Sequence, residues 1–433
     1  MPESLPTEVL EAIIDQVSDD DSKSHIQTLI SVCLTSKALV PRAQKNIYSD
    51  ITIHPASDSS YSTQNLEHSK MYQRTVLLVD TLLRKPTLAF HVKRLKCSMT
   101  TPLSPEDSKI NRITEALSKM VNICHFTYRF TNLSEATHDG ALFLNHVLLQ
   151  SHVWLSAIAG ILQTPTLRSL RLQNFRFFPP ELLQIARGVV SLELSLTTIA
   201  GPKHFWDKVS SHVLEEYDPT PVYGIQWLEI TWHSSREPPS RYLLSHCGRL
   251  THLRARLISQ PTERQSRMEW PVYNLHVDNL ENLTHLDVQV DTYLRGPQTI
   301  LYYMYGPWRW DFVLPKLSRL ESLNIQLNFQ GHFGVHRDTF GPQWGAIASV
   351  LRDQPEVVAA LKEITMTIDV RTVDTGSNLD KRMSDADTLL GGIREAVGTY
   401  HSLALIDGCK QGRALAHYVH ADVSVTPSTI AVQ

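Results

Sequence analysis

The sequence predicts an α/β protein in two parts, three short helices at the N-terminus followed by an irregular solenoid of α/β units with a parallel sheet. Between residues 5 and 48, apolar residues recur at three- and four-residue intervals, which is the spacing of one helix face. Farther along, short stretches of alternating apolar residues recur with helical segments between them. That order favours parallel strands joined by crossover connections.

Composition excludes several classes of partner. The chain has 433 residues, 42% hydrophobic and 20% charged, with a formal net charge of -3. This balance argues against a general attraction to nucleic acid or to an anionic membrane. The five cysteines are scattered singly, which favours a reducing compartment, the cytoplasm or the nucleus, over a disulfide framework or a zinc ribbon. No stretch reaches the roughly 20 apolar residues that span a bilayer.

The first helix is predicted over residues 5–17, because its apolar residues fall on one face, and a polar run at 18–22 ends it. A second periodic stretch at 26–39 and a short segment opened by Pro41 predict two more helices. A unit of about fifty residues buries little surface, and outward apolar positions usually find a partner. The helices therefore favour a docking role, with simple capping of the downstream domain as the alternative.

These helices resemble an F-box. The segments LPTEVLEAII and SVCLTSKALVPRAQKNIYSDITI are similar to its pattern of Leu-Pro, an acid, two aliphatic pairs, a Ser-Lys step and a closing Tyr, although Ala38 and Leu39 stand where many F-boxes have Trp or Phe. The resemblance implies binding to a Skp-type adaptor of a cullin-RING ubiquitin ligase. It leaves open which matching residues contact the adaptor and which fill the module's core. They are Leu5, Pro6, Val9, Leu10, Ile13, Ile14, Leu29, Val32, Leu34 and Tyr48.

A polar, serine-rich segment at 54–72 indicates a linker between an F-box domain at 1–53 and a target-binding domain at 73–433. In the second domain a weak repeat consists of an aliphatic anchor, an aliphatic residue three positions later, and then alternation. The anchors are Val92, Leu167, Val189, Ile225, Leu250, Leu283, Leu320 and Leu361, with a fainter copy at Met120. After His420 we expect a loose tail.

The repeat resembles the LxxLxL strand of leucine-rich repeats, although its spacing is irregular and the asparagine that usually follows is mostly absent. An F-box followed by such units is a layout common among fungal F-box proteins. The resemblance implies a domain that binds a protein target. A generic α/β domain with a few strands is the alternative.

Outward strand positions of a solenoid form a continuous surface, while the aliphatic positions face the core. The outward residues that we expect to contact a target are Arg171, Glu229, Arg254, Asp287 and Asn324. Their mixed charges single out no ligand class. The aromatic segment 301–310 adds Trp308 and Trp310, because Trp, Tyr and Arg are enriched in interface hot spots. Packing of that segment onto its own scaffold is the alternative.

No phosphate-binding loop, zinc motif or nucleophile elbow occurs in the sequence. His332 and His336 have the spacing of a metal pair, but nearby glycines disfavour a helix and no third ligand accompanies them. We therefore predict no catalytic residue, metal or cofactor. The expected protein is a non-enzymatic recruiting subunit that joins a Skp-type adaptor and cullin-RING ligase to an unknown protein target. A scaffold not linked to ubiquitination is the alternative, and no residue pair supports an enzyme.

Overall fold

A computed structural model describes about half of the chain. Two compact units divide these residues: those up to Leu192 form the first unit and those from Glu193 onward form the second. The described residues are 6–19, 25–55, 66–99, 108–130, 152–175, 178–199, 224–233, 243, 247–259, 281–294, 313–331, 350, 359–373 and 418–428.

Helices occupy the start of the first unit where the apolar spacing predicts them. They are α1 (Thr7–Asp19), α2 (His25–Thr35) and α3 (Val40–Ile47), with a 3₁₀ turn at Lys37–Leu39. Pro41 lies in the first turn of α3, where a backbone N–H has no partner within the helix. We call these three helices the N-terminal module.

The core of the N-terminal module is small. Ile14, Leu29 and Ala43, one from each helix, are 3%, 1% and 0% exposed. A charged contact joins the first helix to the third, since Arg42 Nε donates to Asp15 Oδ1 at 2.8 Å and Nη2 donates to Oδ2. A bidentate pair of this kind restricts orientation as well as distance. The module is therefore held by a small core, on which half-buried apolar side chains pack, and by polar contacts between α1 and α3.

Parallel strands follow the module within the first unit. The strands β1 to β4 pair in sequence order, and each pairing is parallel. Helices lie between successive strands, which is the alternation that the sequence predicts. In chain order the elements are β1 (Asp50–Ile53), α4 (Leu66–Arg84), β2 (Arg94–Met99), α5 (Ser108–Ser118), β3 (His125–Phe130), α6 (His152–Leu162), β4 (Ser169–Gln173) and α7 (Pro180–Ile185).

The second unit repeats the parallel arrangement. After β5 (Ser191–Ser195), which contains the division between units, its strands pair in parallel and in sequence order. They are β6 (Trp227–His233), β7 (His252–Ser259), β8 (His285–Leu294), β9 (Ser322–Gly331), β10 (Glu363–Val373) and β11 (Tyr418–Ser428).

The predicted anchors set the strand positions. Each of the eight strong anchors lies two residues before the first residue of a strand, as Leu167 precedes Ser169 and Leu250 precedes His252. The anchor and the alternating residues after it are buried: Leu167 and Leu170 are both 0% exposed. The predicted phase of the repeat is confirmed, and the parallel-sheet part is leucine-rich-repeat-like.

One backbone hydrogen-bond pattern joins successive repeats. The carbonyl oxygen of Thr251 accepts from the N–H groups of Thr284 and His285 at 2.9 and 3.0 Å. The carbonyl oxygen of Thr284 accepts from Glu321 and Ser322 at 2.8 and 3.1 Å in the same way. Because the backbone repeats this geometry, side chains at equal repeat positions come to lie beside one another.

The predicted position of the fainter repeat, at Met120, is wrong. Its strand, β3, begins at His125, so the anchor is Ile123 rather than Met120. The strand positions that aliphatic residues fill elsewhere are taken here by Phe126 and Tyr128, which are 1% and 0% exposed. An aromatic pair buries more area than two leucines but does not match an aliphatic pattern.

The expectation of a loose tail was also wrong. The strand β11 pairs with β10 along its whole length. Apolar residues alternate from Val419 to Val425, and this period-two signal was overlooked. Pro427 has no N–H to donate, which a strand tolerates where one side has no neighbour, and β11 is the last strand in the order.

Two predicted boundaries differ from the structure. The helix α4 begins at Leu66, so residues 66–72 of the predicted linker are helical. The strand at 50–53, predicted to close the F-box domain, pairs with β2 and is the first strand of the parallel sheet. The compact unit therefore continues past residue 53, because so small a helical core gains stability from the sheet beside it.

Candidate functional site

Large apolar side chains remain exposed on the first two helices. Those on the described parts of α1 and α2 are 43% to 82% exposed and recur at four-residue steps, so each helix carries a stripe along one side. We call them together the docking stripe: Val9 and Ile13 on α1, and Ile26, Ile30 and Leu34 on α2. Exposed apolar side chains grouped in this way are typical of a surface that binds a partner.

The residues matched to the F-box pattern occupy three environments. Among the matched residues that the structure describes, Pro6, Val9, Ile13 and Leu34 are exposed, Leu10, Val32 and Tyr48 are half-buried, and Ile14 and Leu29 are buried. Leu5 lies outside the described residues. The two buried residues fill the module's own core, which is the role that the sequence left open for some of them.

Two members of the docking stripe were missed. Ile26 and Ile30 are 45% and 46% exposed, and they continue to Leu34 along one side of α2. The four-residue step was present in the apolar stretch that predicted the helix. Tyr48 has a second role, since it lies two residues before β1 and so takes the anchor position of the first repeat.

Four residues predicted to contact a target lie side by side in the second unit. Glu229 of β6 is in register with Arg254 of β7, Asp287 of β8 and Asn324 of β9. We call these four residues the charged row. Arg254 Nη1 lies 3.8 Å from Glu229 Oε2, and its Nε lies 3.3 Å from Asp287 Oδ2. The row is therefore a polar surface in which one guanidinium is shared between two carboxylates.

The other residues predicted to contact a target are placed differently. Arg171 is exposed on β4 in the first unit, where it is in register with Thr127 of β3. Trp308 and Trp310 lie outside the described residues.

A second polar network lies two to four strand positions farther along the same sheet. Arg256 Nε donates to Asp291 Oδ2 at 2.6 Å, and Asn328 Nδ2 donates to Asp291 Oδ1 at 2.6 Å. Gln289 Nε2 also donates to Asp291, at 3.1 Å. The Asp291 side chain is only 13% exposed, so its charge is neutralised inside the network and does not attract a cation.

An aromatic ladder borders the charged row, and the sequence reasoning missed it. Trp227, His252 and His285 are in register on β6, β7 and β8. Their ring centroids are 4.8 and 4.2 Å apart, and the ring planes differ by 17° and 9°. The available signal was the Thr-His-Leu sequence that occurs at both 251–253 and 284–286, at equal repeat positions. We call these three rings the ladder.

Contacts with threonine hydroxyl groups orient the ring of each ladder histidine. Thr251 Oγ1 donates to the Gln226 carbonyl at 3.1 Å and lies 2.9 Å from His252 Nδ1. A hydroxyl that donates to the carbonyl can accept from Nδ1–H, so this arrangement favours the tautomer with the proton on Nδ1. Thr284 Oγ1 bonds a carbonyl at 3.0 Å and His285 Nδ1 at 2.9 Å in the same way. Burial, together with the neighbouring histidine, lowers the pKa of His252 and favours its neutral ring.

Among the residues that the structure describes, no group of three His, Cys, Asp or Glu side chains could hold a metal ion. Burial raises the pKa of the Cys97 thiol and raises that of Cys247 to about 12, so neither forms a thiolate at neutral pH. His332 and His336 lie outside the described ranges. No helix within those ranges is long and apolar enough to cross a membrane.

Comparisons with known proteins leave the family open. No protein-family model and no curated protein matches the chain. An internalin of Listeria monocytogenes is similar at 10% identity over 97% of this chain and 98% of that one, with a TM-score of 0.30. An internalin C2 of the same organism is similar at 10% identity over 70% and 85%, with a TM-score of 0.24. Such scores are too low to carry an argument, so the parallel architecture rests on the strand registers.

Proposed function

We propose that the protein is a non-catalytic, substrate-recruiting subunit of a cullin-RING (SCF-type) ubiquitin ligase that acts in the cytoplasm or the nucleus. The N-terminal module binds a Skp-type adaptor, and the leucine-rich-repeat-like part binds a protein target. Binding both partners at once brings the target close to the ubiquitin-charged partner and so raises the effective concentration of the target's lysines there. The observation that carries the proposal is the docking stripe, together with the F-box-like order of the residues around it.

The area left exposed on the docking stripe is large enough to matter for binding. Complete burial of a large aliphatic side chain contributes roughly 1.5–3 kcal/mol. Ile13 and Ile30 are 49% and 46% exposed, so covering what remains contributes about 1 kcal/mol for each. We infer that these five side chains supply the apolar centre of the adaptor interface.

The charged row and the ladder support target binding in the second unit. Trp227 is 38% exposed, and the ladder therefore offers an aromatic surface beside the Arg254 guanidinium. Tryptophan and arginine are the residue types most often found in interface hot spots. Because the charges of the row already pair with one another, a target has to present a complementary pattern, which favours specificity over general affinity.

Adaptor binding is tested with the full-length protein and a purified Skp-type adaptor by quantitative pull-down. The Ile13→Ala, Ile30→Ala double variant should lose about 2 kcal/mol of binding free energy, a decrease of about thirty-fold in affinity. The matched control is Val121→Ala, Val153→Ala, whose side chains are 50% and 47% exposed outside the N-terminal module. It should bind as the wild type does.

Failure of the folded wild-type protein to bind the adaptor would overturn the proposal. An equal loss of adaptor affinity in both double variants would show that nonspecific hydrophobic binding, and not the docking stripe, causes capture. The half-life of captured target proteins in cells distinguishes the recruiting role from the alternative scaffold role. A recruiting subunit predicts longer half-lives when the protein is lost, whereas a scaffold predicts no change.

A further inference from the structure

A basic groove of about 550 Å³ opens on the first unit. It lies where the end of α3 meets the starts of β2 and β3. Three cationic side chains line it, Lys45 from α3 and Lys93 and Arg94 at the start of β2, and two imidazoles, His91 and His125, stand beside them. The volume is within the roughly 300–1,000 Å³ that is usual for small-ligand sites.

The carboxylates near the groove do not neutralise its cations. Asp15, which also lines the groove, is bound by Arg42 and accepts from Asn46 Nδ2 at 3.0 Å, so its charge is already balanced. Asp50 is shared between Arg94 at 3.1 Å and Lys96 at 3.4 Å, which leaves one positive charge in that cluster.

The two lysines of the groove take part in none of the ion pairs found among the described residues of the first unit. Among the described residues, no carboxylate lies within ion-pair distance of Lys45 or Lys93. Burial lowers the pKa of the His91 ring, and the charges of Lys45 and Lys85 lower it further, so these lysines favour the neutral imidazole. Among the described residues, the groove therefore carries an excess of positive charge, on a protein whose formal net charge is -3.

The groove is built on ordered backbone. The carbonyl oxygen of Ser49 accepts from the N–H groups of both Lys93 and Arg94 at 2.9 Å, which holds the start of β2 against the end of α3. The carbonyl oxygen of Lys93 accepts from Cys124 at 2.8 Å and His125 at 3.0 Å, which holds the start of β3. Backbone hydrogen bonds at the starts of β2 and β3 therefore position Lys93, Arg94 and His125 in the groove.

We propose that this groove binds a phosphate monoester. The ammonium groups of Lys45 and Lys93 match the double negative charge of the phosphate, and the guanidinium and imidazole N–H groups of Arg94 and His125 supply directional donors. The volume exceeds that of a lone phosphate, so it also holds part of the group that carries it. The site is separate from the docking stripe and does not rest on the proposed ligase function.

Binding is measured by isothermal titration calorimetry on the full-length protein with O-phosphoserine, with a phosphoserine peptide and with the same peptide unphosphorylated. The two phosphorylated probes should bind, with an affinity that falls as salt is added, and the unphosphorylated peptide should not. If the phosphoserine peptide binds at least tenfold more tightly than O-phosphoserine, the natural ligand is a phosphorylated polypeptide. Equal affinities identify a small phosphorylated metabolite.

The variant that tests the site is Lys45→Ala, Lys93→Ala, which should weaken binding of O-phosphoserine at least tenfold. Its control is Lys70→Ala, Lys119→Ala, which removes the same net charge from exposed positions that do not line the groove. The control should bind as the wild type does, and melting curves verify that both variants fold. No binding of either phosphorylated probe to the folded wild type, or an equal loss in both variants, overturns the proposal.

Discussion

Alanine at Leu29 and alanine at its neighbour Ile30 are expected to have opposite consequences. Leu29 is 1% exposed and belongs to the core with Ile14 and Ala43, so truncation removes buried carbon atoms and leaves a cavity, at a cost of about 3 kcal/mol. Ile30 is 46% exposed, so truncation loses about half of the transfer term, about 1 kcal/mol. The higher helix propensity of alanine offsets about 0.4 kcal/mol of the destabilisation by Ile30→Ala.

The difference between the two variants is therefore about 2.5 kcal/mol, or about sixty-fold in the equilibrium for opening the module. Hydrogen exchange measured by mass spectrometry on the full-length protein reports this opening through the amides of the three helices. Leu29→Ala should speed their exchange strongly, whereas Ile30→Ala should change it little and should instead weaken capture of the adaptor.

Equal exchange in the two variants would refute the reasoning, because it would mean that the two side chains are buried to a similar extent. A normal adaptor affinity for Ile30→Ala alongside unchanged exchange would leave the core assignment intact but remove Ile30 from the docking stripe.

Three further outcomes follow from particular contacts. Asp15→Asn should destabilise the N-terminal module by about 1 kcal/mol at pH 7, a value reduced for solvent screening because the side chain is 40% exposed. The bond to Arg42 lowers the Asp15 pKa from 3.8 to about 2, so this contribution is lost as the pH falls from about 4 toward 2. If Asp15→Asn lowered the melting temperature equally at pH 7 and at pH 2, that result would contradict the prediction. Burial lowers the pKa of His252 below 6.5, so its neutral ring stabilises the second unit above that pH, and this contribution is lost as the pH falls. If an NMR titration gave His252 a pKa of 6.5 or higher, that result would contradict the ladder geometry. Gly188→Ala would place a Cβ 2.8 Å from the Leu167 carbonyl oxygen and should cost about 1–3 kcal/mol, which an unchanged denaturant midpoint would disprove.

The sheet shows where sequence reasoning succeeds and where it stops. An aliphatic anchor with alternation after it marks a strand because burial on one face is a local property of the chain. The same reasoning misplaced the repeat at Met120, since aromatic residues fill the core there, and it overlooked β11, whose alternating residues contain no leucine. Both errors came from expecting one residue type where the physical requirement is only an apolar side chain of suitable size.

The helices show a different limit. Ile13 and Ile14 are adjacent, equally apolar and part of one periodic stretch, yet one is 49% exposed and the other 3%. Helical spacing identifies the apolar arc of α1 but not the part of that arc which the neighbouring helices cover. Two residues matched to the F-box pattern therefore proved to be core residues, and Ile26 and Ile30 were missed as surface residues.

The sequence by itself determined the strand phase of the strong repeats, and with it the alignment of Glu229, Arg254, Asp287 and Asn324 in one row, because these depend on periodicity within short segments. Only the tertiary structure decided which apolar side chains form the docking stripe, that the ladder histidines stack, and that three cations from α3 and β2 line one groove. Each of those features is a distance between segments that are far apart in the chain. Such distances are set by packing, to which a single sequence gives no direct access.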